Sequence, residues 1–128
     1  MSEKLVTASV SSKKTFNLLG EKTELFISFA AQQRIVTIYG GLENINLLYT
    51  DPLVQTQAVA VVICGKKFND FETIEEIYAA IEDYTSEEVN EVVEWLQDYF
   101  LNFTITQAEK AAKTIKRTQS LMQVVQDA

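Results

Sequence analysis

The chain has 128 residues, of which 47% are hydrophobic and 23% charged, and its net charge is −7 at pH 7. This length and composition are typical of one globular domain, and the single cysteine excludes a disulfide framework. The charge is uneven, because twelve acids and no Lys or Arg lie between Lys67 and Lys110. A nucleic-acid-binding protein normally carries a basic stripe, whereas the basic stretch that starts at Lys110 is short. We therefore expect no direct binding to DNA or RNA.

The first predicted element is a β-hairpin. Residues 1–14 are small and polar, and we expect them to form a flexible N-terminus. Residues 15–19 and 22–29 each alternate apolar and polar side chains, and Gly20 between them suits a tight turn. Two strands alone are marginal in water, so the hairpin is expected to lie on helices or to pair with another chain.

Two helices are predicted in the middle of the chain. Apolar residues recur at helical spacing from Ala31 to Tyr39, and the glycine pair that follows is typical of a helix end. Asp51 and Pro52 then indicate a second helix start, with Asp as the N-cap and Pro at the first helical position. That helix runs through Ile63 and is apolar on nearly all sides after Gln57, so we expect it at the centre of the fold.

Two amphipathic helices are predicted in the acidic part of the chain. The first has an apolar stripe from Ile74 to Tyr84. The second follows Thr85, which forms a capping-box pattern with Glu88, and its apolar seam is unbroken over residues 86–103. We expect one continuous helix there. The seam residues expected in the core are Val92, Val93, Leu96 and Phe100.

A last helix or linker is predicted over residues 106–128, with Thr106 as its cap. Its stripe is built largely on alanines, which bury little area, so we expect it to be loosely held. The domain proper is then residues 15–105. The predicted fold class is mostly α, with a short N-terminal β-hairpin followed by about five packed helices.

The sequence offers little for catalysis. It has no histidine, which removes the commonest general base and the commonest metal ligand, and no glycine-rich phosphate loop. Cys64 lies in an apolar run, where a thiol usually behaves as a small buried hydrophobe. We therefore expect no enzyme activity, no catalytic residue, no cofactor and no metal. No apolar run approaches the ~18 residues of a membrane span, and residues 1–4 carry no apolar signal core.

Four residues are predicted to contact a protein partner. Trp95 directly precedes Leu96 and lies off the apolar seam, so we expect it to be partly exposed, and exposed Trp is enriched at binding hot spots. Leu121, Met122 and Val125 are apolar residues in the loosely held C-terminal segment. We also expect homo-oligomers, formed through the open edge of the hairpin.

The order of the predicted elements is similar to that of a known family. A short hairpin leads into a helical stretch at 30–35, and a helix rich in Ala and Val starts at Asp51-Pro52. Acidic helices follow and carry the aromatic residues Trp95, Tyr99 and Phe100. Over about residues 15–115 this layout resembles the tail assembly chaperones of long-tailed, siphovirus-type phages, particularly those of Gram-positive hosts.

The resemblance implies a non-catalytic role in the cytoplasm of the host cell. Such chaperones bind the long, helical tape measure protein, keep it soluble while the tail is built, and are absent from the mature virion. Many are also made in a longer, frameshifted form whose extension recruits tail tube subunits. The partners expected from the resemblance are therefore the tape measure protein and, through a longer form, the tail tube protein, with no nucleic acid and no membrane.

A second interpretation comes from the acidic block alone. Eleven acids lie between Asp70 and Asp98 and can present a negative surface that imitates DNA. A protein with such a surface would block a DNA-binding host protein. The same carboxylates also give an amphipathic helix its solvated face, so the sequence leaves both interpretations open.

Overall fold

The structure, a computed structural model, describes residues 10–127, with side chains through Met122. Within this range the chain forms one two-stranded antiparallel sheet near its N-terminus, followed by helices. The predicted fold class is therefore confirmed. Of the segment predicted to be flexible, residues 1–9 lie outside the described residues, whereas Lys13 and Lys14 belong to the first strand.

The elements follow one another with short connections. Two short 3₁₀ helices lie between the α-helices. They are Leu42–Asn44, of three residues, and Gly65–Asp70, of six. The strands and α-helices are β1 (Lys13–Leu18), β2 (Glu21–Phe26), α1 (Phe29–Tyr39), α2 (Leu47–Thr50), α3 (Pro52–Cys64), α4 (Ile74–Ile81) and α5 (Ser86–Asp127).

The hairpin turns through Leu19 and Gly20, whose φ angles are 52° and 81°. Two successive residues in the left-handed region suit the twist of a two-residue hairpin loop. Phe16, Leu18 and Leu25 point inward and are buried, so one face of the sheet belongs to the core. This arrangement confirms that the hairpin lies on the helices, although both strands are shorter than or shifted from the predicted runs.

Helix α3 is the centre of the fold. Its N-cap is Asp51, whose side chain accepts hydrogen bonds from the backbone N–H groups of Leu53 (2.9 Å) and Val54 (3.4 Å). Residues 58–62 are buried without interruption, because α1, α2, α4 and α5 all contact this helix. The helix therefore has no solvent face over residues 58–62, which explains why its sequence is apolar on nearly all sides there.

The N-terminus of α5 is held by a reciprocal capping box. The Glu88 backbone N–H donates to the Thr85 hydroxyl oxygen at 3.1 Å, and the Thr85 N–H donates to Glu88 Oε1 at 2.8 Å. The second carboxylate oxygen, Oε2, accepts a hydrogen bond from the Leu19 N–H at 2.8 Å. These backbone N–H groups, Thr85 first and Leu19 second, hold the pKa of Glu88 below its usual value. Glu88 therefore joins the hairpin turn to α5.

Residues 86–103 of α5 form the predicted continuous helix. Its four predicted seam residues are all buried, which confirms the periodicity. They are Val92, Val93, Leu96 and Phe100. The preceding helix, α4, buries Ile77 and Ile81 as predicted but leaves Tyr78, which was assigned to the same stripe, 47% exposed.

The predicted boundary at Thr106 is wrong. Helix α5 continues without a break for 42 residues, so Thr106 lies inside it and caps nothing. The physical reason is that residues 86–127 contain no Gly or Pro, and a threonine alone does not stop a helix. At 1.5 Å per residue, α5 is about 63 Å long. It extends beyond the core, because all side chains of residues 108–122 are exposed.

One bent pair of helical segments, Leu42–Thr50 with Pro52–Asp70, meets the length and composition test for a broken membrane span, with a bend of 101°. No single helix among the described residues meets that test. The second segment of the pair includes α3, and the core helix of a folded protein passes the same test.

Candidate partner-binding surface

The outer part of α5 extends beyond the packed core. We call residues 10–103, which contain the hydrophobic core, the body, and residues 108–122 the projecting segment. Every side chain of the projecting segment is exposed. Ile115, Leu121 and Met122 are the large apolar residues in it, and they are 57%, 61% and 58% exposed. These apolar side chains are not covered by any described part of the chain and are therefore available to a partner.

An uncharged stripe runs along one side of this helix. Its residues recur at alternating intervals of four and three and therefore stay on one face of an α-helix. Within the body this stripe begins at Leu101, which is 45% exposed. The uncharged stripe consists of Leu101, Ile105, Ala108, Ala112, Ile115, Gln119 and Met122.

The charged residues of the projecting segment lie away from the stripe. At 100° per residue, Lys110, Lys113 and Arg117 fall on the opposite side of the helix, and Glu109 and Lys116 flank the stripe along one edge. A charge-free strip of helix, bordered by charge on one side, can lie against another apolar helix without burying an unpaired charge. The geometry therefore suits the binding of a helical partner.

The residues predicted to bind a partner do not all share this stripe. Met122 is part of it, whereas the neighbouring Leu121 lies about 100° away around the helix and faces the basic side. Val125 lies outside the residues whose side chains the structure describes. Leu101 and Ile105 were not predicted to belong to this stripe, because the helix was expected to break at Thr106, between them and the later stripe residues.

The predicted exposure of Trp95 is wrong. It was expected to be partly exposed but is only 3% exposed. Its ring packs on Phe16 of β1 with a centroid distance of 5.4 Å, and its indole Nε1–H donates to the Ser11 carbonyl oxygen at 2.9 Å. The reason is that the hairpin covers this side of α5, so the helix has a second buried face beside the Leu96 seam. Trp95 holds the hairpin in place and is not available to a partner.

Two exposed aromatic residues lie near the end of the hairpin. Phe26 is 49% exposed and has the Lys13 ammonium 5.3 Å from its ring centroid, and Phe29 is 77% exposed. The predicted strand over residues 22–29 would place Phe29 on the same face as Leu25 and Ile27. The strand ends at Phe26, and Ser28 instead caps α1 by accepting a hydrogen bond from the Ala31 N–H at 3.1 Å, which turns Phe29 to solvent.

Two features of the described residues carry reactive groups, the Cys64 thiol and an open concavity with two carboxylates. Burial raises the pKa of the half-buried Cys64 thiol, although the nearby Lys67 opposes the shift, so the protonated form dominates at neutral pH. No group of three or more metal-ligating residues is present within the described residues. An open concavity of about 510 Å³ is lined by Asp70, Phe71, Glu76, Ala79 and Ala80, two carboxylates among apolar groups.

A buried hydroxyl pair lies where α1 meets α5. Burial raises the pKa of Tyr39 to about 12, and the Thr104 hydroxyl opposes that shift. The two hydroxyl groups lie close together, yet neither meets hydrogen-bond geometry with any partner in the described structure. Tyr39 therefore stays neutral at physiological pH, and we interpret its side chain as part of the packed core of the body.

No known protein family, curated protein or solved structure matches this chain.

Proposed function

We propose that this protein is a phage tail assembly chaperone that binds the helical tape measure protein and keeps it soluble, without catalysing a reaction. The observation that carries the proposal is the uncharged stripe on the projecting segment, which no described element covers. A helix with such a stripe recognises a partner by laying it against the apolar side of a second helix. The mostly helical fold with its N-terminal hairpin agrees with the layout of these chaperones.

The division of charge suits this role. Within residues 70–109 every acid except Glu88 is exposed, so the body presents many carboxylates to solvent. A client helix held on the projecting segment would lose the exposure of its own apolar stripe and gain a highly charged neighbour. Charge of one sign on the complex opposes its aggregation.

The small residues of the stripe favour a client of variable sequence. Ala108 and Ala112 allow the partner backbone to approach closely, while Ile115 and Met122 supply most of the apolar area. Unbranched methionine adapts to different surfaces, as in other proteins that bind many helical targets. A tape measure protein presents many non-identical helical turns, and a tolerant surface is what its chaperone requires.

The tail tube protein is the second proposed partner. A longer form made by ribosomal frameshifting would continue from the projecting segment, away from the body. Its extension would then meet tail tube subunits while the stripe holds the tape measure protein. We place this activity in the host cytoplasm, before the virion is complete.

Co-expression tests the proposal. The tape measure protein encoded beside this chain should be recovered mostly in the insoluble fraction when expressed alone, and mostly in the soluble fraction, bound to this chain, when both are expressed. Met122→Lys should reduce co-purification, because a charge would enter the stripe. Leu121→Lys is the matched control, since Leu121 is equally exposed but lies off the stripe. Equal solubility of the client with and without this chain would refute the proposal.

A second candidate is an acidic DNA mimic that blocks a DNA-binding protein. The observation that favours it is the exposure of the acids on and around α4, which include Glu75, Glu76 and Glu82. Under this proposal the chain should bind a DNA-binding protein, and added DNA should compete with the chain and displace it from that protein. Glu75→Lys with Glu76→Lys should abolish such binding, whereas Met122→Lys should leave it intact. The opposite pattern would favour the chaperone.

A further inference from the structure

We infer that the projecting segments of two copies of this chain pair with each other as an antiparallel two-helix coiled coil. The inference starts from the spacing of the uncharged stripe, whose intervals from Leu101 to Met122 are four, three, four, three, four and three. That repeat is the a/d pattern of a heptad, which specifies helix pairing and not merely an amphipathic surface. Ile105, Ala112 and Gln119 take the a positions.

The flanking charges select the antiparallel orientation. Glu109 and Lys116 both take e positions, whereas the g positions are Thr104, Ala111 and Thr118, which carry no charge. In a parallel pair e residues lie beside g residues of the partner, so neither charge would meet an opposite one. In an antiparallel pair e residues lie beside e residues, so Glu109 of each copy meets Lys116 of the other.

The same orientation fills the core of the pair. With Glu109 beside Lys116 of the second copy, Ala112 lies opposite Ile115 and Ala108 lies opposite Gln119. Two-fold symmetry repeats each of these layers, so a small residue faces a larger one in the central layers, and Ile105 faces Met122 further out. A parallel pair would instead stack Ala108 on Ala108 and Ala112 on Ala112, which leaves two thin layers.

Long-range electrostatics point the same way. In this antiparallel arrangement the Leu101 residues of the two copies are 25 residues apart along the pair, or about 38 Å at 1.5 Å per residue. The two acidic bodies then lie at opposite ends, separated by several Debye lengths at physiological salt. A parallel pair would bring both bodies to one end. Repulsion between them therefore adds to the preference for antiparallel pairing.

Pairing would also regulate access to the stripe. A client helix and a second copy would occupy the same residues, so one must leave before the other binds. This consequence rests on the proposed chaperone function, whereas the pairing itself does not. A free chaperone would thus keep its apolar stripe covered until a client competes for it.

Disulfide trapping in the full chain tests the orientation. In a Cys64→Ser background, Ala108→Cys and Gln119→Cys are placed in separate chains, which are then mixed and oxidised. Antiparallel pairing predicts a crosslink in the mixture and little in either chain alone, because residue 108 of one copy lies about 17 Å along the axis from residue 108 of the other. A disulfide requires Cα atoms within about 7 Å. A crosslink in the Ala108→Cys chain alone, or none in the mixture, would overturn the inference.

Charge reversal tests the ion pairs by sedimentation across a range of concentrations. Lys116→Glu should weaken self-association roughly tenfold, because each Glu109 would face a glutamate, and adding Glu109→Lys should restore it. Lys113→Glu makes the same charge change on the far side of the helix and should have less effect. A monomer at all concentrations, or no recovery in the double variant, would overturn the inference. Both tests use this chain alone, so their failure is distinct from failure of client binding.

Discussion

One helix behaves differently along its two parts. Residues 86–103 of α5 bury a seam that includes Leu96 against the core and hold Trp95 beneath the hairpin, whereas residues 108–122 bury nothing. The helix is continuous across both. Starting a helix is the costly step, and extending it costs little, so a segment anchored in the core can propagate into solvent. Helical order is therefore not evidence of packing in the outer part.

The two parts also separate stability from binding. Apolar residues in the inner part stabilise the fold, and those in the outer part are available to another chain. A protein with this division can change its partner surface without changing its core. The comparison predicts that equal substitutions on the two parts should have unequal effects, and the largest difference comes from a matched pair of leucines.

Leu96→Ala in the inner part and Leu121→Ala in the outer part form that pair. Leu96 is fully buried, and its truncation should cost about 2–5 kcal/mol of unfolding free energy, because a cavity remains. Leu121 lies in the outer part and is 61% exposed, so its truncation should change stability by less than about 0.5 kcal/mol in dilute protein. Urea unfolding followed by circular dichroism measures both. Equal losses of unfolding free energy would mean that the outer part is also packed, which would contradict the structure.

The parts of the fold that were predictable from the sequence are those set by local rules. Asp51 with Pro52 and the capping box of Thr85 with Glu88 depend on residues a few positions apart. The Leu96 seam depends on periodicity within one helix. In each case the signal and the structure lie in the same short stretch of chain, so no knowledge of the tertiary fold was needed.

Two predictions were wrong for different reasons. The exposure of Trp95 depends on a contact between distant parts of the chain, and the helix boundary rested on the single local signal of Thr106. Trp95 is buried by a hairpin some eighty residues earlier, which helical periodicity does not reveal. The sequence signal for this burial is Phe16, an apolar residue of β1 that needs a packing partner and finds it in Trp95. Thr106 resembles an N-cap, but no Gly or Pro precedes it to end the helix. That predicted boundary separated Leu101 and Ile105 from the rest of the uncharged stripe.

Trp95→Phe tests the second buried face of the inner part. Loss of the indole hydrogen bond would leave the Ser11 carbonyl without its partner, and stability should fall by about 1–2 kcal/mol. Trp95 is the only tryptophan, so its fluorescence reports on this contact directly. In the native protein acrylamide should quench it weakly, and strongly after unfolding. Strong quenching in the native state would contradict the burial.

Glu88→Gln tests the link between the hairpin turn and α5. In Glu88 the two N–H groups bind different carboxylate oxygens, and glutamine replaces one of those oxygens with an NH2 donor, so either the Thr85 N–H or the Leu19 N–H would face a donor in place of its acceptor. Because the pKa of Glu88 is lowered in the folded state, its stabilisation is fully present above the ordinary value of 4.5 and is lost as pH falls below it.

The variant should therefore lose less stability than the native protein when pH is lowered through that range, as thermal unfolding at a series of pH values would show. Glu87→Gln is the matched control, since Glu87 is the adjacent acid in the first turn and does not accept the Leu19 N–H. An identical acid response in the native protein and the Glu88→Gln variant would contradict this role.

Deletion of residues 107–128 should have the smallest effect on stability. All side chains from 108 to 122 are exposed, so their removal takes little area from the core, and unfolding free energy should change by less than about 0.5 kcal/mol. Partner binding and self-association should both be lost. A truncated chain that no longer folds, or that binds and dimerises as before, would contradict the division between the two parts of α5.

Hydrogen exchange on the intact chain provides the complementary measurement. In dilute protein the amides of residues 108–122 should exchange faster than those of 86–103, because they can open by fraying without disturbing the core. Raising the protein concentration should slow exchange in the outer part alone, since only that part gains a partner when two copies pair. If both parts are equally protected at low concentration, the outer helix is stabilised within one chain, and the comparison between them fails.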